Sequence, residues 1–569
     1  MNRALWHEVG RELAPFDGRL GTAWRISVIC SLATLAFMTW QIPLAAIGCY
    51  LVLFVMKPDP GESTLMAIGI CILVSTVVAL LVWLTQLSID IPALRLFVLA
   101  SASFIFMYLA SASKLGPAGN IIALVIAFIM TLLGSAPFGE VATRGILYAW
   151  LMTLIPMGLL IACNMAFGRS APSLLTAELA RRIRLAEDIL AGTQPPASAR
   201  QALHEGGAPV ASYLQFISIF HLLPTTEIHR LRTRHEHMLQ LLMLATRLPD
   251  PTDDATALSD TTQAAAVRRE IQTGLNQLDA PVPQGPPEPH SGFFRADALS
   301  NPEHYRFALK TTLAASLAYI TYTALDWQDI HTAMVTCYVA ALGSTGETLH
   351  KLTLRIVGCL IGAAMGIASI LFLIPYMTSI GELMLLVFAG ILVAGWVSSG
   401  SERIAYAGVQ IGLAFLLTVL QGFGPDVEIS VATDRVAGIL LGNALLYLIF
   451  TRIWPISSLE MARAGLAEVR EKLQVYGKNA QKLQTLAPSQ AANLLGALGG
   501  VREQLVMRRF EPRTLHTDPH EATQLQQTLN DYELRCISAA LDPQWATPPA
   551  TEAPLHTSLA TPILSRPTS

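Results

Sequence analysis

Two long hydrophobic blocks, each readable as six membrane spans, flank a long polar segment, and the blocks look like copies of one another. The first runs from Arg25 to about Gly168 and the second from about Phe307 to Arg452. In each block an early span is followed by a Trp, at Trp40 and Trp327. A Gly-Glu-hydroxyl triplet precedes the third span, as Gly61-Glu62-Ser63 and Gly346-Glu347-Thr348. An Ala-Thr pair beside an Arg opens the last span, at Arg144 and Arg435. The Trp, Glu and Arg landmarks recur at offsets of 287, 285 and 291 residues. A near-constant offset implies one duplicated unit. A duplicated bundle in a bilayer points to a solute path between its halves.

Composition excludes a soluble fold. Only 14% of the 569 residues are charged, against roughly 25% in soluble domains. Runs such as Thr64 to Trp83 and Gly145 to Phe167 are long enough to cross a hydrocarbon core of roughly 30 Å. Six of the seven cysteines fall in apolar spans, and Cys536 lies in the polar C-terminal part. None makes a C-x-x-C or a Cys/His cluster, so they read as small buried hydrophobes, with no disulfide framework and no metal site. The first apolar run is followed almost at once by Ile42 to Met56 without a small-residue cleavage site. It is expected to be a retained first span.

The expected fold is an all-α polytopic membrane protein of about twelve transmembrane helices in two parallel six-helix repeats, with cytoplasmic helical regions. Provisional spans are 25–39, 42–56, 64–85, 91–110, 120–134 and 144–167, then 307–325, 331–343, 352–374, 382–398, 405–420 and 434–452. If the spans alternate, Arg3, Arg11, Arg19, Lys57, Lys114, Lys351, Arg355, Arg403 and Arg452 share one side. The opposite loops are acidic, with Asp90, Glu140, Asp326, Asp329, Glu382, Asp426 and Glu428. The basic side is cytoplasmic. Both termini are then inside, and an even number of spans per half makes the repeat parallel.

The chain divides into a cytoplasmic N-terminal segment (1–24), the first repeat (25–168), a cytoplasmic helical linker (169–306), the second repeat (307–452), a second cytoplasmic helical region (453–542) and a disordered tail (543–569). Linker helices are expected near 173–192, 225–247 and 261–279. Leu231, Met238, Leu241, Leu242 and Ala245 line one face of the middle helix. C-terminal helices are expected near 458–485, 488–508 and 520–541. The two soluble parts are expected to pack as bundles beneath the two membrane halves.

No phosphate loop, H-E-x-x-H or G-x-S-x-G sequence is present, so no enzyme activity and no cofactor is expected. Energy must come from a gradient or another subunit. Charge at membrane depth is costly and marks function. Arg95 lies inside the fourth span, and Arg25, Lys310 and Arg355 lie near cytoplasmic ends. The bland reading of such residues is snorkelling to lipid phosphates. The functional one is a cationic path for an anion, with Arg95, Lys310, Lys351 and Arg355 attracting it. Glu62 and Glu347 precede helices, where a carboxylate is favoured by the helix dipole. They read either as caps or as symmetric gating or proton-exchanging groups. Lys351 and Arg355 share a helix face with Glu347, which allows ion pairing. Asp326, Asp329 and His331 cluster at the outer end of the seventh and eighth spans. There His331 could serve proton coupling or simply be solvated. Gly358, Gly362 and Gly366, with Gly408/Gly412 and Gly438/Gly442, have the four-residue spacing that lets helices approach closely.

The second block carries Asn301-x-x-His304-x-x-Phe307-Ala308-x-Lys310, then Gly346-Glu347, Lys351-x-x-x-Arg355-x-x-Gly358-x-x-x-Gly362, Trp396, Arg403-x-x-Tyr406, Arg435 and Gly442. In this order the motifs resemble the fusaric acid resistance and aromatic acid exporter family. With Gln41-Ile42-Pro43 after Trp40, the first block resembles that family's multidrug-resistance inner-membrane subunits. The resemblance implies a multi-pass bacterial inner-membrane exporter of aromatic carboxylates, hydrophobic weak acids or drugs, coupled to the proton gradient. It also implies a periplasmic adaptor (a membrane fusion protein) and an outer-membrane channel as partners, although the short external loops leave little surface for an adaptor. Organic anions and lipid are the expected contacts, with no nucleic acid and an oligomer left open. The alternatives are a passive anion channel and a membrane scaffold or signalling protein acting through its cytoplasmic helices.

Overall fold

The computed structural model describes residues 10–541, apart from 11, 16–17, 44, 58, 89–90, 133–138, 169, 250–260, 279–291, 296, 328–329, 331, 422–423, 426–428, 481–485 and 516–518. The first block forms α1 (Arg19–Thr39), α2 (Ala45–Val55), α3 (Pro60–Ser88), α4 (Pro92–Ala112), α5 (Pro117–Leu132) and α6 (Gly139–Phe167). The linker forms α7 (Ala171–Leu190), α8 (Ala197–His204), α9 (Ala208–Ile219), α10 (Thr225–Ala245) and α11 (Thr261–Asn276). The second block forms α12 (Pro302–Ala324), α13 (Thr332–Ala340), α14 (Thr345–Phe372), α15 (Ile380–Ser398), α16 (Glu402–Val419) and α17 (Ile429–Arg452). The C-terminal part adds α18 (Ser458–Ala480), α19 (Pro488–Met507) and α20 (Pro519–Leu541). Among the described residues, strand pairing is confined to a two-residue ladder between Leu420–Gln421 and Gly424–Pro425 and a bridge between Ser113 and Phe294. The tail, 543–569, lies outside the described residues.

A backbone in hydrocarbon must satisfy its own hydrogen bonds, which is why apolar runs of this length become helices. Their starts are written locally. Ser344 and Glu347 form a capping box at α14, and Ser379 and Glu382 form another at α15. Asn301 caps α12, with Pro302 at its first turn. The first helix begins at Arg19, not at 25. Gly18 takes the left-handed φ of 96° that opens it. The Arg19 guanidinium then bonds the Trp396 and Ala14 carbonyl oxygens, at 2.8 Å each, instead of staying in the N-terminal segment.

Among the described residues, six helical stretches are long and apolar enough to cross a membrane: Arg19–Thr39, Pro60–Val82, Ala93–Ala112, Thr143–Phe167, Thr345–Tyr376 and Ile380–Ser398. Four apolar helices are shorter, at Ala45–Val55, Ala118–Thr131, Arg403–Val419 and Val436–Arg452. The expected seventh and eighth spans meet neither description. Helix α12 carries Glu303, Arg306 and Lys310 in its first turns. Helix α13 has nine residues, about 14 Å at ~1.5 Å per residue. Helix α2, with eleven, is nearly as short. Both short helices are buried by their neighbours, with Val52, Cys49, Met334 and Cys337 wholly inaccessible.

Packing across the blocks is reciprocal. Helix α1 lies along α15 and α4 along α12; α2 packs on α16 and α5 on α13. Gln41 and Asp326, the residues that turn the chain toward the two short helices, both have φ of 50°. Helices α14 and α16 approach very closely: a Cβ on Gly358 would lie 2.6 Å from the Ala407 carbonyl oxygen.

The linker and C-terminal helices form one core rather than a bundle under each half. Leu175 and Leu179 of α7 and Leu242 of α10 share a buried cluster with Leu466 of α18, Leu495 of α19 and Leu529 of α20. The apolar faces of both segments are too broad to bury alone, so each covers the other.

Candidate functional site

The short helices and their partners line a partly open cavity of about 140 Å³ between the two blocks. Its walls come from α2, α3, α5 and α6 on one side and α13, α14, α16 and α17 on the other. Helices α1, α4, α12 and α15 stay outside it. The lining is aliphatic and aromatic, with one charged side chain, Arg355.

Arg355 is 1% exposed. Its Nη1 donates to the Tyr406 hydroxyl at 3.1 Å and to the Gln410 amide oxygen at 2.9 Å. Both acceptors lie on α16, which the glycine ladder of α14 holds in contact. Its Nε has no hydrogen-bond partner among the described residues. Nor does it have a carboxylate within ion-pair distance among them. One neighbouring buried group is also unsatisfied among the described residues. The Thr332 hydroxyl lines the cavity without a partner, while the Gln410 amide lies against the hydroxyl of Tyr50, which also lines the cavity. A buried cation costs several kcal/mol unless compensated. Two neutral acceptors compensate only in part, so this wall favours an incoming anion.

The other residues singled out by sequence lie elsewhere. Lys351 is one turn from Arg355 and places its Nζ 4.9 Å from the centre of the Tyr406 ring. It makes no ion pair with Glu347. The Glu347 carboxylate instead accepts from the Ser344 N–H at 3.3 Å and from Gln504 of α19 at 2.5 Å. Around it, the Thr345 N–H donates to the Ile456 carbonyl, and Glu511 accepts from the Ser457 hydroxyl. The C-terminal helices are therefore bolted to the start of α14, the helix that carries Arg355. Glu62 pairs with Lys57 at 2.5 Å, with both side chains about two-fifths exposed.

Lys310 is buried on α12, bonded to the Trp454 carbonyl at 3.1 Å and stacked 4.9 Å over Phe450. Arg95 is half-buried on α4, away from the cavity, and its Nε lacks a hydrogen-bond partner among the described residues. Arg25 bonds Asn164 of α6 at 3.1 Å. Asp326 is exposed on the turn before α13. Asp329 and His331 lie outside the described residues. Of the whole set, the fold brings Lys351 and Arg355 together at Tyr406 and leaves the rest apart. Sequence reasoning overlooked Gln410 and Thr332. A signal existed for Gln410: an amide one turn after Tyr406 in an otherwise apolar helix.

Residues 304–378, from α12 through α14, match the family model described as Fusaric acid resistance protein family. That match shows the resemblance read from the ordered motifs. Over most of its length the chain is similar to Multidrug resistance protein MdtO of Escherichia coli (strain K12), with 25% identity over 497 residues, 79% of this chain and 71% of that protein. A second relative, Multidrug resistance protein MdtO of Shigella flexneri, is 35% identical over 184 residues, 32% of this chain and 27% of its own. Inner membrane protein YccS of Escherichia coli (strain K12) is 30% identical over 152 residues, covering 26% of this chain and 20% of that protein. No solved structure matches the chain.

Proposed function

We propose that this protein is an inner-membrane efflux transporter that exports hydrophobic organic anions, aromatic carboxylates among them, at the expense of the proton gradient. One observation carries the reading. A buried arginine without a carboxylate partner among the described residues lines an apolar cavity between the two membrane blocks. An apolar cavity with a few convergent polar groups is what a small organic ligand requires. Similarity to multidrug resistance and inner-membrane proteins supports the efflux direction and the location.

The blocks act as a parallel repeat of six spans each, twelve in all, with both termini in the cytoplasm. The reciprocal packing of the blocks and the matched turns at Gln41 and Asp326 support this arrangement. The short α2 and α13 then work as interior half-spans, tolerated at membrane depth because protein rather than lipid surrounds them. Lys351 and Lys310 add positive potential toward the cytoplasmic mouth. Glu62, Glu347, Asp326 and His331 are the groups through which proton coupling would run. An adaptor and an outer-membrane channel would complete export across two membranes.

The test is uptake of a radiolabelled aromatic acid panel into everted membrane vesicles. Accumulation above the outside concentration, abolished by a protonophore, is the expected result. Equilibration that ignores the protonophore would instead identify a passive anion channel. No movement of any panel member would overturn the reading.

A further inference from the structure

Two related walls line the cavity, and at three matched positions only the second-block wall is polar. Thr332, Arg355 and Gln410 correspond to Ile47, Ile70 and Val125 at a constant offset of 285 residues. The same offset relates Glu62 to Glu347 and the left-handed Gln41 to Asp326. At all three pairs the second block supplies a hydrogen-bonding group and the first block a branched aliphatic one. Ile47, Ile70, Val125, Thr332 and Arg355 all line the cavity, and Gln410 backs Arg355 directly. The first block's own polar lining groups are Thr153, whose hydroxyl bonds the Ala149 carbonyl of its own helix, and Tyr50, whose hydroxyl lies beside Gln410 on the polar side.

Resting on the efflux reading above, we infer that this pseudo-symmetric cavity is a polarised binding site for a monoanion with one apolar ring. The anionic group sits on the second-block wall, against Arg355, Gln410 and Thr332, and takes up the unsatisfied Arg355 Nε and Thr332 hydroxyl donors. The ring lies against Ile47, Ile70 and Val125. An apolar cavity of about 150 Å³ holds a single benzene ring, so one ring fits the volume here. The aliphatic Ile47, Ile70 and Val125 at the matched positions are the specificity device. A second charge on the far end of the ring would face the aliphatic wall unsolvated, and buried unpaired charge is strongly disfavoured. The site therefore separates monoanions from dianions of the same shape.

The experiment uses the full chain in lipid nanodiscs and measures binding of benzoate, benzamide and terephthalate by calorimetry. Benzoate is expected to bind at least tenfold more tightly than either benzamide or terephthalate. Arg355→Gln should collapse the benzoate-to-benzamide ratio toward one, and Arg355→Lys should restore part of it. Val125→Gln, which gives the apolar wall an amide opposite Gln410, should narrow the gap between benzoate and terephthalate. Equal affinities for benzoate and terephthalate in the unmodified protein overturn the inference, whether or not any variant folds. So does an Arg355→Gln variant with an unchanged unfolding midpoint and an undiminished benzoate preference. Everted vesicles tested with benzoate and with a cationic dye separate this from the broader reading. Dye efflux without benzoate binding sinks the polarised anion site and leaves efflux standing. Benzoate binding without transport of either probe sinks efflux and leaves the site.

Discussion

Gly358 shows how much a single atom decides here. A methyl at this position would press on the Ala407 carbonyl and on Gln410 Cβ, 2.8 Å away. Gly358→Ala is expected to cost ~1–3 kcal/mol by overpacking. It should also disturb Arg355, because Gln410 is its acceptor. Gly358→Leu should prevent the two helices from seating at all. Thermal unfolding of the purified protein in detergent checks both. His235 offers a different residue-scale prediction. Burial, and then the nearby Arg182 cation, hold its imidazole down to about 3. Below about pH 6.5 the unfolded imidazole binds a proton that the folded one refuses. The unfolded state then carries more protons, so this group's contribution makes stability fall as pH drops from about 6.5 toward 3 and leaves it flat above. The loss at pH 5 is on the order of 2 kcal/mol. His235→Leu should flatten melting curves compared between pH 5 and 8; an unchanged slope would count against this account.

At the scale of elements, the N-terminus of α14 is one place where the C-terminal helices meet the apolar ones. Glu347 is at once the partner of Ser344 in a capping box and the acceptor of Gln504. Glu347→Gln separates its roles, since a glutamine still completes the box but cannot exchange protons. Transport that keeps its rate yet loses its sensitivity to the proton gradient would assign coupling to Glu347. Full retention of coupling would leave it a cap and a dock. Glu347→Ala removes both, and a loss of ~1 kcal/mol is expected from the cap. The capping boxes, the glycine spacings and most helix ends were legible beforehand, because each is set within a few residues. The coupling of α19 to α14 was not legible. It joins residues far apart in the chain, and nothing in either local pattern names the other.

For the whole molecule, orientation is the first prediction. On the proposed topology Thr378, exposed before α15, faces the outer side, and Thr193, exposed after α7, the cytoplasm. Cysteines placed there should react oppositely with an impermeant maleimide. Thr378→Cys should label in intact spheroplasts and Thr193→Cys only after permeabilisation; the reverse pattern would invert the topology. Most native thiols are buried and give a low background. The sequence alone determined that the chain is a helical membrane protein. Apolar run length is a property of the chain itself, and hydrocarbon permits little besides helices. Which of the costly charges meet in one place was decided by tertiary structure. Arg95, Lys310 and Arg355 look alike in sequence. Only reciprocal packing of the blocks sets α14 beside a central cavity while α4 and α12 remain outside. The physical reason is that membrane-depth cost is local to each residue, whereas a shared site depends on how helices distant in sequence turn their faces toward one another.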